Sequence, residues 1–156
     1  MYGNMWVINV HARAVAHPSI QCRWQLGYAC PMSESAAVAT RPYKIPESVL
    51  VVIYTQAMDV LLLERADRPG FWQSVTGSMD EGETLIETAR REVSEETGLD
   101  AGRFELTDWR KQNRYEIYLR WRGRYAPGVT HNTENVFGLR LPQRAPVRLA
   151  EREHLQ

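Results

Sequence analysis

Residues 77–99 read GSMDEGETLIETARREVSEETGL, a glycine-rich acidic loop running straight into a helix with a stop signal at each end. Few folds accommodate such a stretch. Thr84 and Glu87 form a T-x-x-E capping box, in which hydroxyl and carboxylate satisfy exposed amides of the first turn. Ile86, Ala89 and Val93 recur at spacings of three and four and predict a core-facing stripe. Gly98 ends the helix as a C-terminal cap. On the same helix Glu92, Glu95 and Glu96 stand at i, i+3 and i+4. They fall within about 100° of one another, on one face. Like charges at these spacings repel by a few tenths of a kcal/mol per pair, and the C-terminal half of a helix disfavours acids. A divalent cation removes both objections. Clustered carboxylates suit a hard ion such as Mg²⁺, with Mn²⁺ as a substitute, which keeps waters and shares its shell with substrate phosphates. A solvated acidic face is the plainer reading of E-x-x-E-E taken alone.

The flanking sequence predicts what this helix packs on. Ser48 to Tyr54 (SVLVVIY) is a β-branched apolar run of the kind buried on both faces of a sheet. A turn at Gln56–Asp59 and a second strand at Val60–Glu64 make a hairpin. Asp67–Gly70 is a loop, and Phe71–Thr76 a short strand ending at Gly77. Downstream, Tyr115–Trp121 alternates, with Tyr115, Ile117, Leu119 and Trp121 on one face of a predicted strand. Ala126–Asn132 reads as a turn-rich loop, with His131 in it at the surface, and Asn135–Leu141 as a last strand. Strands, one helix, then strands indicate an α+β fold with a mixed sheet.

With 156 residues there is room for one domain. Nineteen Lys and Arg balance nineteen Asp and Glu, so no charge excess points to nucleic acid or a membrane as partner. The only cysteines, Cys22 and Cys30, lie near the start, which excludes a disulfide framework in the main body and fits a reducing cytoplasm. The first 31 residues carry no steady period of 2 or 3.6 and no acid, the first being Glu34, and with the residues up to 41 they precede the readable pattern. Residues 1–41 read as a disordered or non-native leader, with Met32 a plausible true start, ahead of a domain at 42–156.

The acidic helix and its loop match the Nudix signature, G-x₅-E-x₇-R-E-U-x-E-E-x-G-U with U aliphatic. Gly77, Glu83, Arg91, Glu92, Val93, Glu95, Glu96, Gly98 and Leu99 occupy its positions without departure. A chance match is expected on the order of once in 10⁸ chains of this length. The resemblance to Nudix hydrolases implies an α/β/α sandwich around a mixed sheet. It implies Mg²⁺-dependent hydrolysis of a nucleoside diphosphate linked to another group, in which metal ions neutralise charge and activate water. By that resemblance Glu92, Glu95 and Glu96 are metal carboxylates, the Gly77 carbonyl is a further ligand, and Glu83 with Arg91 is an internal ion pair.

Outside the signature, Phe71–Gly77, Arg124–Thr130, Asn132–Glu134, the SVLVVIY strand and Glu153–Leu155 resemble the dihydroneopterin triphosphate pyrophosphatases of bacterial folate synthesis. What this implies is cleavage of dihydroneopterin triphosphate to the monophosphate and pyrophosphate. The alternatives are a housekeeping pyrophosphatase for oxidised or non-canonical nucleoside triphosphates, and a Nudix-fold binding module without catalysis. The partner is thus a small pterin or nucleoside triphosphate. Glu153 matches the position of a carboxylate acting on the attacking water. Lys44 and Arg65 match phosphate contacts, and Trp72, Gln73, Asn132 and Glu134 are candidates for the pterin. Members of that family continue past the position of Leu155. A chain lacking that segment is expected to leave one sheet face partly uncovered, and to hold Glu153 poorly.

Overall fold

The computed structural model describes the backbone of Met5–Ile8 and, with side chains, residues 43–65 and 68–149. Most of the leader, and Glu153, lie outside the described residues.

Among the described residues seven strands form one mixed sheet. Strand β1 is Met5–Ile8, β2 Glu47–Thr55, β3 Val60–Glu64, β4 Trp72–Gln73, β5 Val75–Ser78, β6 Glu105–Glu116 and β7 His131–Leu141. The order runs β1-β3-β2-β7-β6, with β4 on β3 and β5 on β2. β1 is parallel to β3 and β2 is parallel to β7, while the other pairs are antiparallel. The first helix, α1, is Leu85–Thr97, and α2 is the single turn Leu119–Arg122.

β2 is the central strand. Val49, Val51 and Ile53 are at most 1% exposed and meet Ala89 and Val93 of α1 and Phe137, Leu139 and Leu141 of β7. Burying each such side chain is worth about 1.5–3 kcal/mol, so this face of the sheet holds the core. The opposite face of β2, Leu50, Val52 and Tyr54, is only half-buried. Trp109 lies across that face. It packs on Tyr54 with ring centroids 6.1 Å apart, and a Cβ added to Gly138 would overlap its indole. Among the described residues α1 is the one long helix.

α1 begins and ends where its caps dictate. Thr84 accepts from the Glu87 amide, Glu87 accepts from the Thr84 amide, and Gly98 adopts φ 69° with its amide on the Ser94 carbonyl. Its buried face differs from the predicted stripe. Ala89 and Val93 are buried, but Ile86 is 40% exposed, and Leu85 packs on the core instead. Buried Thr88, Glu92 and Thr97 complete that face, which is centred near Ala89. Ile86 sits about 100° round the helix from Leu85, on its flank.

Three other expectations are corrected. The strand predicted at Phe71–Thr76 is two, β4 and β5, broken at Ser74; β4 serves β3, and β5 crosses to β2 and continues through Gly77 to Ser78. The strand predicted at Tyr115–Trp121 is the end of β6 followed by a turn and α2. Tyr118 and Trp121 pack edge to face at 5.4 Å, Arg120 stacks on Trp121 at 4.5 Å, and Arg122 donates to the Ile117 carbonyl and pairs with Glu116. Contacts three apart along the chain suit a helical turn and not an extended strand. β7 starts at His131, four residues before the predicted Asn135, because β6 pairs with it along its whole length, from Glu105–Arg140 to Glu116–His131. His131 is therefore an exposed strand residue, and Asn132 is not in a loop. Within residues 1–41, Met5–Ile8 is a strand that pairs in parallel with β3.

Candidate active site

β2, β5, β7 and α1 converge at a cleft of about 390 Å³, in the range of small-molecule sites. It is lined by Lys44, Ser48, Arg65, Gln73, Thr76, Gly77, Ser78, Glu92, Glu96, Tyr115 and Glu134. The pairing of β2 explains the convergence, because Ser48 lies opposite Ser78 on one side and Glu134 on the other.

Arg91 organises the acidic wall. Its Nε donates to Glu83 Oε1 at 2.7 Å and its Nη2 to Glu83 Oε2 at 3.0 Å, a bidentate fork. Nη2 also reaches the Ser78 carbonyl at 3.0 Å, and Nη1 reaches Glu92 at 2.7 Å and Glu95 at 3.2 Å. One guanidinium thus fastens the end of β5, the 79–83 loop and the acids of α1 together. Glu83 also accepts from Thr88 and from the Asp80 amide. The Arg91 hydrogen bonds, with these two added, hold the Glu83 carboxyl at about 2, against the desolvation that acts to raise it. The same carboxylates push the Arg91 guanidinium up.

Gly77 leaves room for Glu92, whose side chain would have to shift if the glycine carried a Cβ. A Cβ built there would fall inside the Glu92 carboxylate, which is 6% exposed and lies against the glycine. Glu92 and Glu96 line the cleft one turn apart, beside Gly77. Glu95 differs: its side chain is 41% exposed, turned to Arg91, and not among the lining residues. Two carboxylates and a backbone carbonyl are oxygen donors that a hard divalent cation takes while keeping waters. Among the described residues no cluster of three acid, imidazole or thiol groups is gathered for a metal.

The other walls are polar. Lys44 donates to Ser78 Oγ at 3.4 Å, and its backbone pairs with Tyr125 and Arg124. Arg65 donates to Gln73, and Gln73 to Thr76, each at 3.4 Å. Two of the candidates for the pterin also stand apart from the lining. Trp72, opposite Glu64 in the β3–β4 ladder, is half-buried outside it. Asn132 is 3% exposed behind it and donates to Ser48 Oγ at 2.6 Å and Tyr115 Oη at 3.0 Å. Sequence reasoning missed Ser48, Thr76, Ser78 and Tyr115 as site residues. The usable signal was alternation, since Ser48 heads an apolar strand on the face that Glu134 shares.

Among the described residues no helix is long and apolar enough to cross a membrane. Compared with known proteins, residues 44–146 match the NUDIX domain. The chain is 50% identical over 112 residues to the dihydroneopterin triphosphate diphosphatase of Escherichia coli K12, covering 70% of this chain and 75% of that one. It is 44% identical over 108 residues to the enzyme of the same name from Haemophilus influenzae, covering 67% and 68%. The solved structure of the E. coli dihydroneopterin triphosphate pyrophosphohydrolase superposes with a TM-score of 0.62 at 49% identity, over 74% of this chain and 80% of that one. With a domain match across most of its length and a relative half identical over two thirds of it, the chain belongs to the Nudix hydrolase family.

Proposed function

We infer that this Nudix pyrophosphohydrolase cleaves dihydroneopterin triphosphate to dihydroneopterin monophosphate and pyrophosphate, with Mg²⁺ as its metal. The observation that carries the reading is a single cleft with three kinds of wall. Its lining combines Glu92, Glu96 and Gly77, the cations Lys44 and Arg65, and the hydroxyls and carboxylate of Ser48, Tyr115 and Glu134. The 50% identity to a dihydroneopterin triphosphate diphosphatase supports the same substrate.

The residues divide the work. Glu92, Glu96 and the Gly77 carbonyl would hold the metal, and Glu95 is kept beside them by Arg91. When bound, the ion neutralises phosphate charge and makes water a better nucleophile. Lys44 and Arg65 neutralise the remaining phosphate oxygens, the guanidinium being suited to bidentate contact. Arg91 and Glu83 keep the 79–83 loop on α1, so that the acids stay placed while the polyanion binds. Water adds to a phosphorus of the α–β bridge, the bridging P–O bond breaks, and the proton leaves to solvent or to a carboxylate. Glu153, whose resemblance assigns it to that water, lies outside the described residues.

The test is a comparison of kcat/KM in Mg²⁺ for dihydroneopterin triphosphate and an oxidised dGTP. The pterin is expected to lead by more than tenfold. A lead for the oxidised nucleotide would assign the cleft to nucleotide housekeeping instead.

A further inference from the structure

Asn132 sits behind the cleft with its amide nitrogen between two hydroxyls, donating to Ser48 Oγ at 2.6 Å and to Tyr115 Oη at 3.0 Å. It comes from β7, Ser48 from β2 and Tyr115 from β6, so one amide ties three adjacent strands. A hydroxyl carries one donor and two acceptor sites. Here each hydroxyl spends an acceptor site on Asn132, and its hydrogen is left for another partner. Neither hydroxyl donates to another described residue. Both line the cleft.

Glu134 adds the opposite polarity two residues along β7. Its Oε2 accepts from Asn113 at 3.1 Å, which fixes the carboxylate while it lines the same wall. The wall therefore offers two O–H donors next to a carboxylate acceptor. The complementary ligand edge is a carbonyl oxygen beside N–H groups. A lactam fused to an aminopyrimidine, as in a pterin or a guanine, has this edge, whereas adenine lacks its carbonyl.

We propose that Asn132 is a positioning residue that sets base specificity. It turns the Ser48 and Tyr115 hydroxyl hydrogens toward the lactam oxygen of the substrate's ring, while Glu134 accepts from the ring N–H and exocyclic amine. The proposal rests on the pterin reading above, but the lactam edge is shared by guanine, so the two can fail separately. Asn132 itself is buried and does not meet the ring.

Asn132→Asp tests it, because an acid of the same shape accepts where the amide donates. Both hydroxyls must then turn their hydrogens inward to the new carboxylate, away from the ligand. For dihydroneopterin triphosphate KM is expected to rise by about ten- to a hundredfold, the loss of one or two ligand hydrogen bonds, with kcat changed far less. The ratio of kcat/KM for GTP over ATP should fall by at least tenfold in the same variant. Tyr115→Phe, which keeps the ring and removes one donor, should move both quantities in the same direction by a smaller factor, and covers the case in which Asn132→Asp does not fold. An equal loss toward GTP and ATP, or a fall in kcat at constant KM, overturns the proposal, since a merely structural residue would do that. If wild-type protein turns over GTP but not dihydroneopterin triphosphate, the pterin reading fails, and the GTP/ATP ratio still decides the role of Asn132.

Discussion

A single arginine ties the acidic loop between β5 and α1 to the acids of the helix. Arg91 makes five hydrogen bonds to Glu83, Glu92, Glu95 and the Ser78 carbonyl, and lysine could not reproduce its fork. Glu83 shows what this is worth. Its carboxyl is lowered from 4.5 to about 2, chiefly by the Arg91 hydrogen bonds. A group depressed on folding stabilises the native state above its unfolded value and stops doing so as pH falls through its folded one. Glu83→Gln should therefore cost about 2 kcal/mol at neutral pH, the range for a charge-assisted hydrogen bond. The gap in Tm between wild type and variant should be full above about 4.5 and close as the pH nears about 2. Thermal melts across that range check it, and a gap that stays constant would remove the ion pair from the stability of the fold. The pair was legible in the sequence only through family resemblance. Eight residues separate Glu83 from Arg91, too far for helical spacing to connect them.

At the level of elements, α1 serves two masters. One face carries Ala89 and Val93 into the core, and the adjoining one sets Glu92 and Glu96 at the cleft. The acids stand in its C-terminal half, and its last turn holds no basic residue to offset them. Glu96→Gln removes one of the repelling charges and keeps the shape. Melting is expected to hold or rise slightly, while kcat falls by more than about 10², or roughly 2.7 kcal/mol of barrier. Turnover near wild type at saturating Mg²⁺ would strike Glu96 from the metal residues. Caps and apolar runs made α1, β2 and β3 readable in sequence, because each is a local signal. β6 was not readable. Only Leu106 and Asn113 of its twelve residues are even half-buried, so no alternation marks it, and it exists because β7 offers it a full ladder. The alternation at Tyr115–Trp121 misled for the converse reason: an apparent period of two runs across a strand end, a turn and a helical turn, and belongs to none of them. The cleft was half readable. The signature marks Gly77, Glu92 and Glu96, whereas Ser48 and Tyr115 are brought beside Glu134 only by pairing between strands distant in sequence.

On the scale of the molecule, core and site sit at different places on one sheet. The packed face, against α1, holds the core, and the far end of β2 and β7, where Ser48, Asn132 and Glu134 stand, borders the cleft. The segment after β7 also serves the packed face, with Ala145, Val147 and Leu149 against the core and the Arg148 amide on the Thr97 carbonyl. It thus leads the chain past the end of α1 that carries Glu95 and Glu96. The cleft gathers cations, carboxylates and hydroxyls, and the claim inferred from it is that the α–β bridge of dihydroneopterin triphosphate is the bond that breaks. Phosphorus NMR of dihydroneopterin triphosphate turnover by the wild-type chain in Mg²⁺ tests that claim directly. Pyrophosphate and the pterin monophosphate appearing in equal amounts is the predicted result, and inorganic phosphate released in place of pyrophosphate would contradict it.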